Sequence, residues 1–342
     1  MQIVASLRLN TRPKVWDPTS PDYLSELKAI MVSYADFDSR PVLRRRVMEQ
    51  GLHTYFNAPK TTRIYLDNGA FSFLKRDKEV SRHDYEAFVA KAKPDWYAIP
   101  RDYIPTPRMN DEEQLACLQR TMRVNTFYRH DGYVPVIHIS RRLDEYLRQL
   151  QADTQLRCKP RIALGGIVPN LLRMPQAMAP YQVLDSVRRT REALADKHLH
   201  VFGVGGTATL HLIALIGIDS ADSSGWRNRA ARGIIQLPGR GERIVANLGN
   251  WRGRTPDEPE WEWLKTCPCP ACSMHGAEGL RINGMEGFCN RAIHNLWTLV
   301  DEAKQIDTHL ADGTYSTWYR NHVQNSTYLP LIRQAVEWLE ES

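Results

Sequence analysis

The chain has 342 residues, of which 25% are charged and 42% hydrophobic, a composition that is typical of a globular protein and excludes a disordered chain. The longest apolar run, 209–218, has ten residues, whereas a membrane span needs roughly twenty. Residues 1–9 lack the cleavage site of a signal peptide. We therefore expect a cytoplasmic protein with no membrane partner.

The net charge of +6 is concentrated in one segment of the chain. Between Gly225 and Arg254 the only acidic residue is Glu242, and seven arginines lie in the same stretch. The arginines are Arg227, Arg229, Arg232, Arg240, Arg243, Arg252 and Arg254. Because a guanidinium group can donate two parallel hydrogen bonds to a phosphate, the segment predicts contact with a nucleic acid; a solvated surface loop is the alternative.

Short apolar runs alternate along the chain with longer amphipathic segments. The predicted strands are 29–33, 63–66, 96–99, 133–139, 161–164, 200–204 and 217–220. The predicted helices between them are 85–93, 111–128, 141–151, 181–194 and 207–216. The second of these helices follows Asn110, a residue type that favours the N-cap position.

Seven strand–helix repeats at roughly thirty-residue spacing predict an α/β fold, a parallel sheet closed into a TIM-like (β/α)8 barrel. An eighth strand is predicted at 243–247. The N-terminal run 2–9 is interpreted as an extra strand outside the barrel. An open, doubly wound sheet is the alternative architecture.

The alternation of strands and helices ends towards the C-terminus. Acidic and proline residues at 256–260 predict a polar linker, and two amphipathic helices are predicted further on, at 290–306 and 328–339. We therefore divide the chain into a catalytic barrel domain, 1–254, and a zinc-binding subdomain with C-terminal helices, 255–342.

Three of the six cysteines lie within six residues, in the pattern Cys-x-Cys-x2-Cys. Thiolate and imidazole are the ligands that zinc prefers, and four of them complete a tetrahedral structural site that has no open position. The residues predicted to bind a structural Zn²⁺ are Cys267, Cys269, Cys272 and His294. His275 and Cys289 are alternatives for the fourth ligand, and thiols clustered by chance are the alternative to a metal site.

Acidic residues stand at the ends of several predicted strands. Asp67 and Asp102 each follow a strand, and Asp219 and Asp222 end the strand that begins at Gly217. In a parallel barrel the active site lies at the carboxyl ends of the strands. Two carboxylates that face each other across a pocket are the arrangement that glycosidic-bond chemistry needs, although each acid taken alone is also explained as a helix cap.

In their order along the chain, these residues resemble the motifs of the tRNA-guanine transglycosylase superfamily. Leu66-Asp67-Asn68-Gly69-Ala70-Phe71 resembles its T-D-S-G-G-Y/F segment. Residues 163–167 resemble A-x-G-G-L, residues 202–205 resemble M-G-V-G, and residues 217–222 resemble G-[IV]-D-x-F-D. The cysteine–histidine pattern completes the series, so the resemblance covers most of the chain.

The resemblance implies a pentosyltransferase that exchanges guanine in a nucleic acid for a 7-deazaguanine such as preQ0. Asp222 would attack C1′ of the nucleotide to form a covalent intermediate, and Asp67 would be the general acid and base. The residues implied to contact the base are Asn68, Phe71, Asp102, His138, Gly165, Gly166, Phe202 and Gly203. Among them, the two phenylalanines would sandwich the base and Asp102 would bind its Watson–Crick edge.

Several segments depart from the family pattern. Residues 223–232 replace P-T-R-x-x-R, residues 100–103 replace D-E-C-T, and His138 replaces a glutamine. These departures resemble the DNA-modifying (DpdA-type) branch, and a base in duplex DNA must first be flipped out of the stack. The residues predicted to contact the nucleic acid are Trp226, Arg227, Arg229 and Arg232, where Trp226 is interpreted either as support for the flipped base or as ordinary packing.

The leading hypothesis is therefore a DNA-guanine transglycosylase. The alternatives are a tRNA-guanine transglycosylase and a non-catalytic nucleic-acid-binding subunit. Retention of both Asp67 and Asp222 argues against the binding subunit, which needs neither carboxylate. Companion proteins of a DNA-modification cluster and a second copy of the chain in a homodimer are the further partners that this hypothesis implies.

Overall fold

The computed structural model describes residues 1–9, 12–76, 80–171, 175–324 and 327–341. Ten strands lie in these residues. They are β1 (Gln2–Ser6), β2 (Ala29–Ser33), β3 (Arg63–Asp67), β4 (Trp96–Tyr97), β5 (Val136–His138), β6 (Arg161–Gly165), β7 (His198–Val201), β8 (Ser220–Ser223), β9 (Ile234–Leu237) and β10 (Gly241–Ile244). All seven predicted strands are present, with bounds that differ by a few residues.

The first eight strands form one parallel sheet in the order β4-β3-β2-β1-β8-β7-β6-β5. The two outer strands of this order are joined by a parallel bridge between Ala98 and Val134. The amide of Ile99 donates to the Val134 carbonyl over 3.0 Å, and the amide of Val134 donates to the Tyr97 carbonyl over 2.9 Å. The sheet therefore closes on itself, which confirms the predicted TIM-like barrel over the open sheet.

The prediction of the eighth barrel strand was wrong. β1 takes that place, between β2 and β8, whereas the predicted run 243–247 overlaps β10, which pairs antiparallel with β9 in a hairpin outside the barrel. Val4 and Ala5 have no exposed surface, so β1 is covered on both faces. Strands of a parallel barrel are apolar on both faces for this reason, and the run of Ile3, Val4 and Ala5 carries that signal.

Helices surround the barrel in the described residues. They are α1 (Tyr34–Asp38), α2 (Pro41–Gln50), α3 (Leu52–Phe56), α4 (Ala70–Arg76), α5 (Arg82–Ala92), α6 (Asp111–Phe127), α7 (Leu143–Ala152), α8 (Thr154–Arg157), α9 (Ile167–Leu171), α10 (Pro180–Ala193), α11 (Thr207–Leu215), α12 (Gly225–Ala230), α13 (Glu258–Lys265), α14 (Pro270–His275), α15 (Gly284–Ala311), α16 (Tyr315–His322) and α17 (Leu329–Glu341). Asn110 caps α6 as predicted: its side chain accepts from the Glu113 amide, and the Glu113 carboxylate accepts from the Asn110 amide. No helix in the described part of the chain is long and apolar enough to cross a membrane.

Two hydrophobic cores hold these layers together. The larger core lies between the sheet and the helices. The smaller core fills the barrel itself, and its buried members are Val4, Ala29, Met31, Tyr65, Trp96, Ala98, Ile99, Tyr128, Val134, Val136 and Ala163. Inside the barrel, the rings of Tyr65 and Trp96 stack with centroids 5.0 Å apart. The interior is thus a packed floor below the mouth, as in other parallel barrels.

The region after the hairpin is more helical than predicted. The predicted linker 256–260 includes the start of α13, whose N-cap is Asp257; the side chain of this residue accepts a hydrogen bond from the Glu260 amide. α15 has 28 residues and extends beyond the predicted 290–306 at both ends. Its buried face packs on α11, α12 and β9. The division of the chain at residue 254 stays a prediction.

The hairpin is joined to α13 by a buried ion pair. The Arg243 Nε donates to Glu260 Oε2 over 2.7 Å, a second guanidinium nitrogen of Arg243 donates to the other oxygen, and both side chains are 3% exposed. The third guanidinium nitrogen donates to two backbone carbonyls. Arg243 is therefore a structural residue and not one of the arginines available to a phosphate.

We expect Glu260→Ala to lower the free energy of unfolding by about 3–5 kcal/mol, because it leaves the Arg243 charge buried without a partner. Glu262→Ala, on the same helix, removes an exposed partner of Lys265 and should cost less than about 1 kcal/mol. Urea unfolding of both variants measures the difference. Equal losses would show that the buried pair contributes no more than a surface pair.

Candidate active site and metal centre

The carboxyl ends of the eight barrel strands form one mouth, and polar side chains occupy most of these ends. Asp67 is the last residue of β3 and His138 the last of β5, while Asp222 lies near the end of β8. Two serines that the sequence analysis did not single out, Ser6 and Ser33, end β1 and β2. A hydroxyl residue that closes an apolar strand is the signal that could have found them.

Asp222 is held at the mouth by two hydrogen bonds. The Ser6 hydroxyl donates to Oδ2 over 2.6 Å, and the backbone amide of Gly203 donates to Oδ1 over 2.7 Å. Gly203 has φ +78°, and a Cβ there would lie 2.2 Å from a methyl of Val168, so this turn requires glycine. Asp222 is 8% exposed. Its carboxylate is thus fixed in direction and keeps a small exposed fraction.

Asp67 has a different environment. The Ser33 hydroxyl and the Gly69 amide both donate to its Oδ2, each over 3.0 Å. Burial raises the pKa of Asp67 to about 7, and the negative charges of Asp102 and Asp222 act in the same direction, against the two hydrogen bonds. Asp67 can therefore hold or release a proton near neutral pH, which is what a general acid and base requires.

Asp102 keeps its charge. Burial alone would raise the pKa of its carboxyl, but the hydrogen bond and charge of His138, together with a hydrogen bond from Asn68, hold that pKa below the ordinary value. Asn68 Nδ2 donates to Oδ1 over 2.7 Å, and His138 Nε2 lies 2.9 Å from Oδ2. A Cβ at Gly165 would lie 2.7 Å from the His138 ring, so glycine there makes room for this imidazole.

Phe71 and Phe202, the residues predicted to sandwich a base, lie in different elements of the barrel. Phe71 lies in the first turn of α4 and is 43% exposed. Phe202 follows β7 and packs against the barrel core, with its ring 6.1 Å from Trp96 and nearly perpendicular to it. Gly166 follows β6 at the same mouth with φ +78°. Of the two predicted rings, Phe71 is thus exposed and Phe202 is half-buried.

The prediction that Trp226 contacts a nucleic acid was wrong. Its side chain has no exposed surface and belongs to the large core, and its carbonyl accepts a hydrogen bond from Asn295 on α15. Trp226 lies one residue inside α12, whose buried face carries it inward. The packing interpretation is the correct one. A single tryptophan beside arginines gives no sequence signal that separates these two roles.

The arginines predicted to contact a nucleic acid differ in how accessible their charged groups are. Arg227 donates to the Arg12 carbonyl over 2.9 Å, and burial lowers its pKa to about 10. Arg229 pairs with Glu242 over 2.6 Å and donates to the Gly205 carbonyl. Arg232 is exposed and lies over the ring of Trp251, with 4.4 Å between the guanidinium carbon and the ring centroid. Of the predicted group, Arg232 has the most accessible charge.

A cleft of about 650 Å³ runs from the mouth towards the hairpin. Gly203, whose amide holds Asp222, lines one end of the cleft, and Arg232, Arg240 and Arg254 line the part nearer the hairpin. The cleft therefore extends from the turn that holds Asp222 to a basic surface. This arrangement is the structural counterpart of the arginine-rich segment.

The four predicted zinc ligands converge in one buried cluster. His294 Nδ1 lies 3.7, 3.4 and 3.6 Å from the sulfurs of Cys267, Cys269 and Cys272. Tetrahedral bonds of about 2.3 Å to sulfur and about 2.05 Å to nitrogen place the two ligand atoms about 3.6 Å apart. One nitrogen nearly equidistant from three sulfurs has the spacing of a metal site and not that of a single hydrogen bond.

The remaining contacts of His294 agree with a ligand role. Its Nε2 lies 3.0 Å from the Gln236 carbonyl, which can only accept, so Nε2 carries the proton and Nδ1 offers its lone pair to the cluster. The cluster includes neither of the alternative fourth ligands: His275 is exposed, and Cys289 is half-buried near Arg227. Among the described residues, His294 is therefore the fourth member.

The pKa of Asp67 gives a test of this site. Between the ordinary value of 3.8 and the folded-state value of about 7, the folded chain holds a proton that the unfolded chain has released. The contribution of Asp67 to stability should therefore fall as the pH rises through this window and stay constant above it. Asp67→Asn does not titrate, so wild type should lose stability relative to Asp67→Asn between about pH 4 and pH 7.

Urea unfolding of both proteins across this pH range measures the difference. Asp144→Asn, a change at an exposed carboxylate, controls for the loss of one negative charge. A difference between wild type and Asp67→Asn that does not change with pH would contradict the raised pKa.

Comparison of the amino-acid sequence with known proteins identifies the family of this chain. The queuine tRNA-ribosyltransferase family matches residues 11–328. The tRNA-guanine(15) transglycosylase of Pyrococcus abyssi is 30% identical over 322 residues, which cover 92% of this chain and 50% of that protein. The enzymes of the same name from Pyrococcus furiosus and Methanosarcina mazei are 25% and 24% identical, and each match covers 79% of this chain.

The chain spans about half the length of the curated relatives it matches. The family match nevertheless includes seven of the eight barrel strands, the three mouth carboxylates and the cysteine–histidine cluster. The match covers nearly the whole described chain, and the order of the motifs agrees with it. The chain belongs to the queuine tRNA-ribosyltransferase family.

Proposed function

We propose that the protein exchanges guanine in a nucleic acid for a 7-deazaguanine base, through a covalent link between Asp222 and the sugar. The observation that carries this proposal is the pair of carboxylates with unlike environments at one mouth. Asp222 is held by donors on both oxygens, whereas burial raises the pKa of Asp67 to about 7. Carboxylates that differ in this way take the separate roles of nucleophile and acid.

The exchange has two balanced steps. In the first, an Asp222 oxygen bonds to C1′ as the bond from C1′ to guanine breaks, and guanine leaves with the proton of Asp67. In the second, ionised Asp67 takes a proton from the incoming base, whose nitrogen bonds to C1′ as the ester to Asp222 breaks. Together the steps return the two carboxylates to their starting states, so the reaction needs no nucleotide energy source.

Asp102 supplies the recognition of the base. Its Oδ1 accepts a hydrogen bond from Asn68 and its Oδ2 lies 2.9 Å from His138 Nε2, and each oxygen retains a lone pair for another donor. Guanine presents two N–H donors on its Watson–Crick edge, and a 7-deazaguanine presents the same edge. A carboxylate held ionised by its neighbours can thus accept from both the leaving and the incoming base, while Phe71 and Phe202 supply aromatic surface for its faces.

The comparisons support tRNA as the polymer. The family match and the similar archaeal proteins carry names of tRNA-modifying enzymes. Arg232 and the basic cleft beside Asp222 provide a surface for the phosphates of either nucleic acid.

DNA is a second candidate, and one observation favours it. Residues 100–103 and 223–232, on two sides of the mouth, depart from the family pattern, as expected if a different polymer enters. The burial of Trp226 removes the argument from a base-flipping side chain. Companion proteins and a homodimer belong to this proposal as partners to be tested.

The Cys267, Cys269, Cys272 and His294 cluster fits a structural zinc ion. With four protein ligands the ion has no open position, so it would stabilise the fold and take no part in the exchange. The imidazole of His294 would join α14 to α15, and its contact with Gln236 would tie both to the hairpin. The lining of the cleft includes Gln236, so the ion would support the surface next to the mouth.

The first test measures guanine exchange. Purified protein is incubated with radiolabelled guanine and, separately, bulk tRNA, duplex DNA or single-stranded DNA. We expect label in tRNA. Label in DNA alone would establish the second candidate, and label in no polymer would contradict the proposed function.

Asp222→Asn tests the nucleophile in the same assay. We expect exchange to fall by about a thousandfold or more without loss of fold, because no ester forms on an amide. Asp219→Asn is the matched control: Asp219 lies one residue before β8, away from the mouth, where it accepts from the Leu199 amide and from Arg191. Exchange per folded molecule should stay close to wild type there. Normal turnover in Asp222→Asn would remove it as nucleophile.

Metal analysis tests the zinc centre. We expect about one zinc ion per chain, and loss of that ion in Cys269→Ser together with a melting temperature lower by at least about 5 °C. His275→Ala, which changes an exposed histidine beside the cluster, should keep both metal content and melting temperature. Equal metal content in wild type and Cys269→Ser would refute the ligand assignment.

A further inference from the structure

A row of three polar side chains lies inside the barrel beneath Asp222. His198 Nε2 lies 3.1 Å from the Ser220 hydroxyl oxygen, and the same oxygen lies 3.0 Å from His200 Nδ1. His200 Nε2 lies 3.7 Å from Asp222 Oδ1. The row thus runs up β7 and β8, from the lower part of the barrel to the carboxylate at the mouth.

His200 is enclosed by aromatic rings. Its side chain has no exposed surface, and its ring centroid lies 5.6 Å from Tyr65, 5.3 Å from Trp96 and 4.9 Å from Phe202. Within the described chain, Nε2 of His200 has no hydrogen-bond partner. An unsatisfied buried donor or acceptor costs stability, so its retention next to Asp222 calls for a functional reason.

The neighbours decide where the protons of this row lie. A lone pair on His200 Nε2 would face the negative Asp222 carboxylate and be repelled, whereas an N–H there would be attracted. With the proton on Nε2, Nδ1 accepts from the Ser220 hydroxyl, and the Ser220 oxygen accepts from His198 Nε2. Each donor in the row then points towards Asp222.

We propose that His200 is a positioning residue for the glycosyl-enzyme, donating its Nε2–H to Asp222 Oδ1 while the bond from Asp222 to the sugar breaks. This inference rests on the proposed function. The gap of 3.7 Å in the free chain is longer than a hydrogen bond, and the proposal requires the two side chains to move closer in the transition state, as catalytic contacts often do. His198 and Ser220 fix the ring so that the N–H, and not the lone pair, faces the carboxylate.

The step that His200 assists is balanced as follows. In the glycosyl-enzyme, Asp222 is an ester and its carbonyl oxygen carries no charge. When the incoming base attacks C1′, the electron pair of the ester bond returns to Asp222, and the carboxylate regains its negative charge. The amide of Gly203 and the imidazole of His200 then both donate to Oδ1, which stabilises the leaving carboxylate. The proton on His200 does not transfer.

Two substitutions test the two nitrogens of the His200 imidazole independently. Asn in place of His200 keeps a polar atom near Nδ1, facing Ser220, and removes the donor near Nε2. Gln in place of His200 places its amide nitrogen near the position of Nε2 and retains the donor. Both variants leave a polar side chain in the barrel, so a difference between them reports the donor to Asp222 rather than a general loss of packing.

The experiment uses the full, zinc-loaded chain and the polymer that wild type labels. Protein and end-labelled polymer are mixed without added base, denatured, and separated on a gel that resolves the covalent adduct. Steady-state exchange is measured in parallel. For His200→Asn we expect the ratio of adduct to free enzyme to rise about tenfold and kcat to fall about tenfold, with KM changed little. His200→Gln should remain within about threefold of wild type.

The outcomes are distinct. Equal adduct ratios and kcat values in wild type and His200→Asn, with Asp222→Asn inactive, would overturn the role of His200 and leave the proposed function standing. Equal losses in His200→Asn and His200→Gln without a change in adduct ratio would show a packing role and also overturn it. Absence of exchange in wild type would overturn the proposed function and this inference together.

Discussion

The rest of the mouth depends on one electrostatic constraint, the placement of three carboxyl groups in a space with little water. Like charges at close range repel strongly in a medium of low dielectric, so the groups cannot all be ionised without donors. The structure gives Asp102 a hydrogen bond from Asn68 and the nearby imidazole of His138, and it gives Asp222 a donor on each oxygen. Asp67, with both of its donors on one oxygen, is the group whose pKa rises to about 7. Because the hydrogen-bond donors are distributed unequally, Asp67 is suited to exchange a proton, whereas Asp102 and Asp222 are suited to act as ionised carboxylates.

The sequence predicted the parts of the molecule that local patterns determine. The cap at Asn110, the rhythm of strands and the cysteine cluster each depend on residues close together in the chain, and the structure confirms them. β1 was predicted as a strand but wrongly placed outside the barrel, because its apolar run indicates burial on both faces and not its pairing with β8, more than two hundred residues away. The position of Ser6 at the end of an apolar strand could have singled it out, but its contact with Asp222 exists only once the barrel closes.

Burial explains why the predicted nucleic-acid contact of Trp226 was wrong and why the arginine-rich segment is less basic at the surface than its sequence indicates. Trp226 and Arg243 lie in a segment that reads as a uniform basic surface, yet each is turned inward by contacts with residues after 254: Trp226 with Asn295, and Arg243 with Glu260. Charge counted along the sequence overestimates the charge that a ligand meets, because it includes guanidinium groups already paired inside the fold. The same contacts show how the C-terminal helices support the mouth. Asn295 also bonds to the hairpin through Gln236 and Ile234, so α12 and β9 are fixed to one face of α15.

A second cluster of histidine and carboxylate side chains shows why spacing, and not composition, supports the zinc centre. His211 Nε2 and His322 Nε2 each lie 2.8 Å from the same oxygen of Glu302, and the Gly239 amide also donates to that carboxylate. These are the distances of direct hydrogen bonds, and the second nitrogen of His211 bonds to a tyrosine hydroxyl. The polar atoms of this cluster satisfy one another. In the cysteine–histidine cluster, the imidazole nitrogen stands 3.4–3.7 Å from each of three sulfurs around a common centre, a spacing that fits a tetrahedral zinc site.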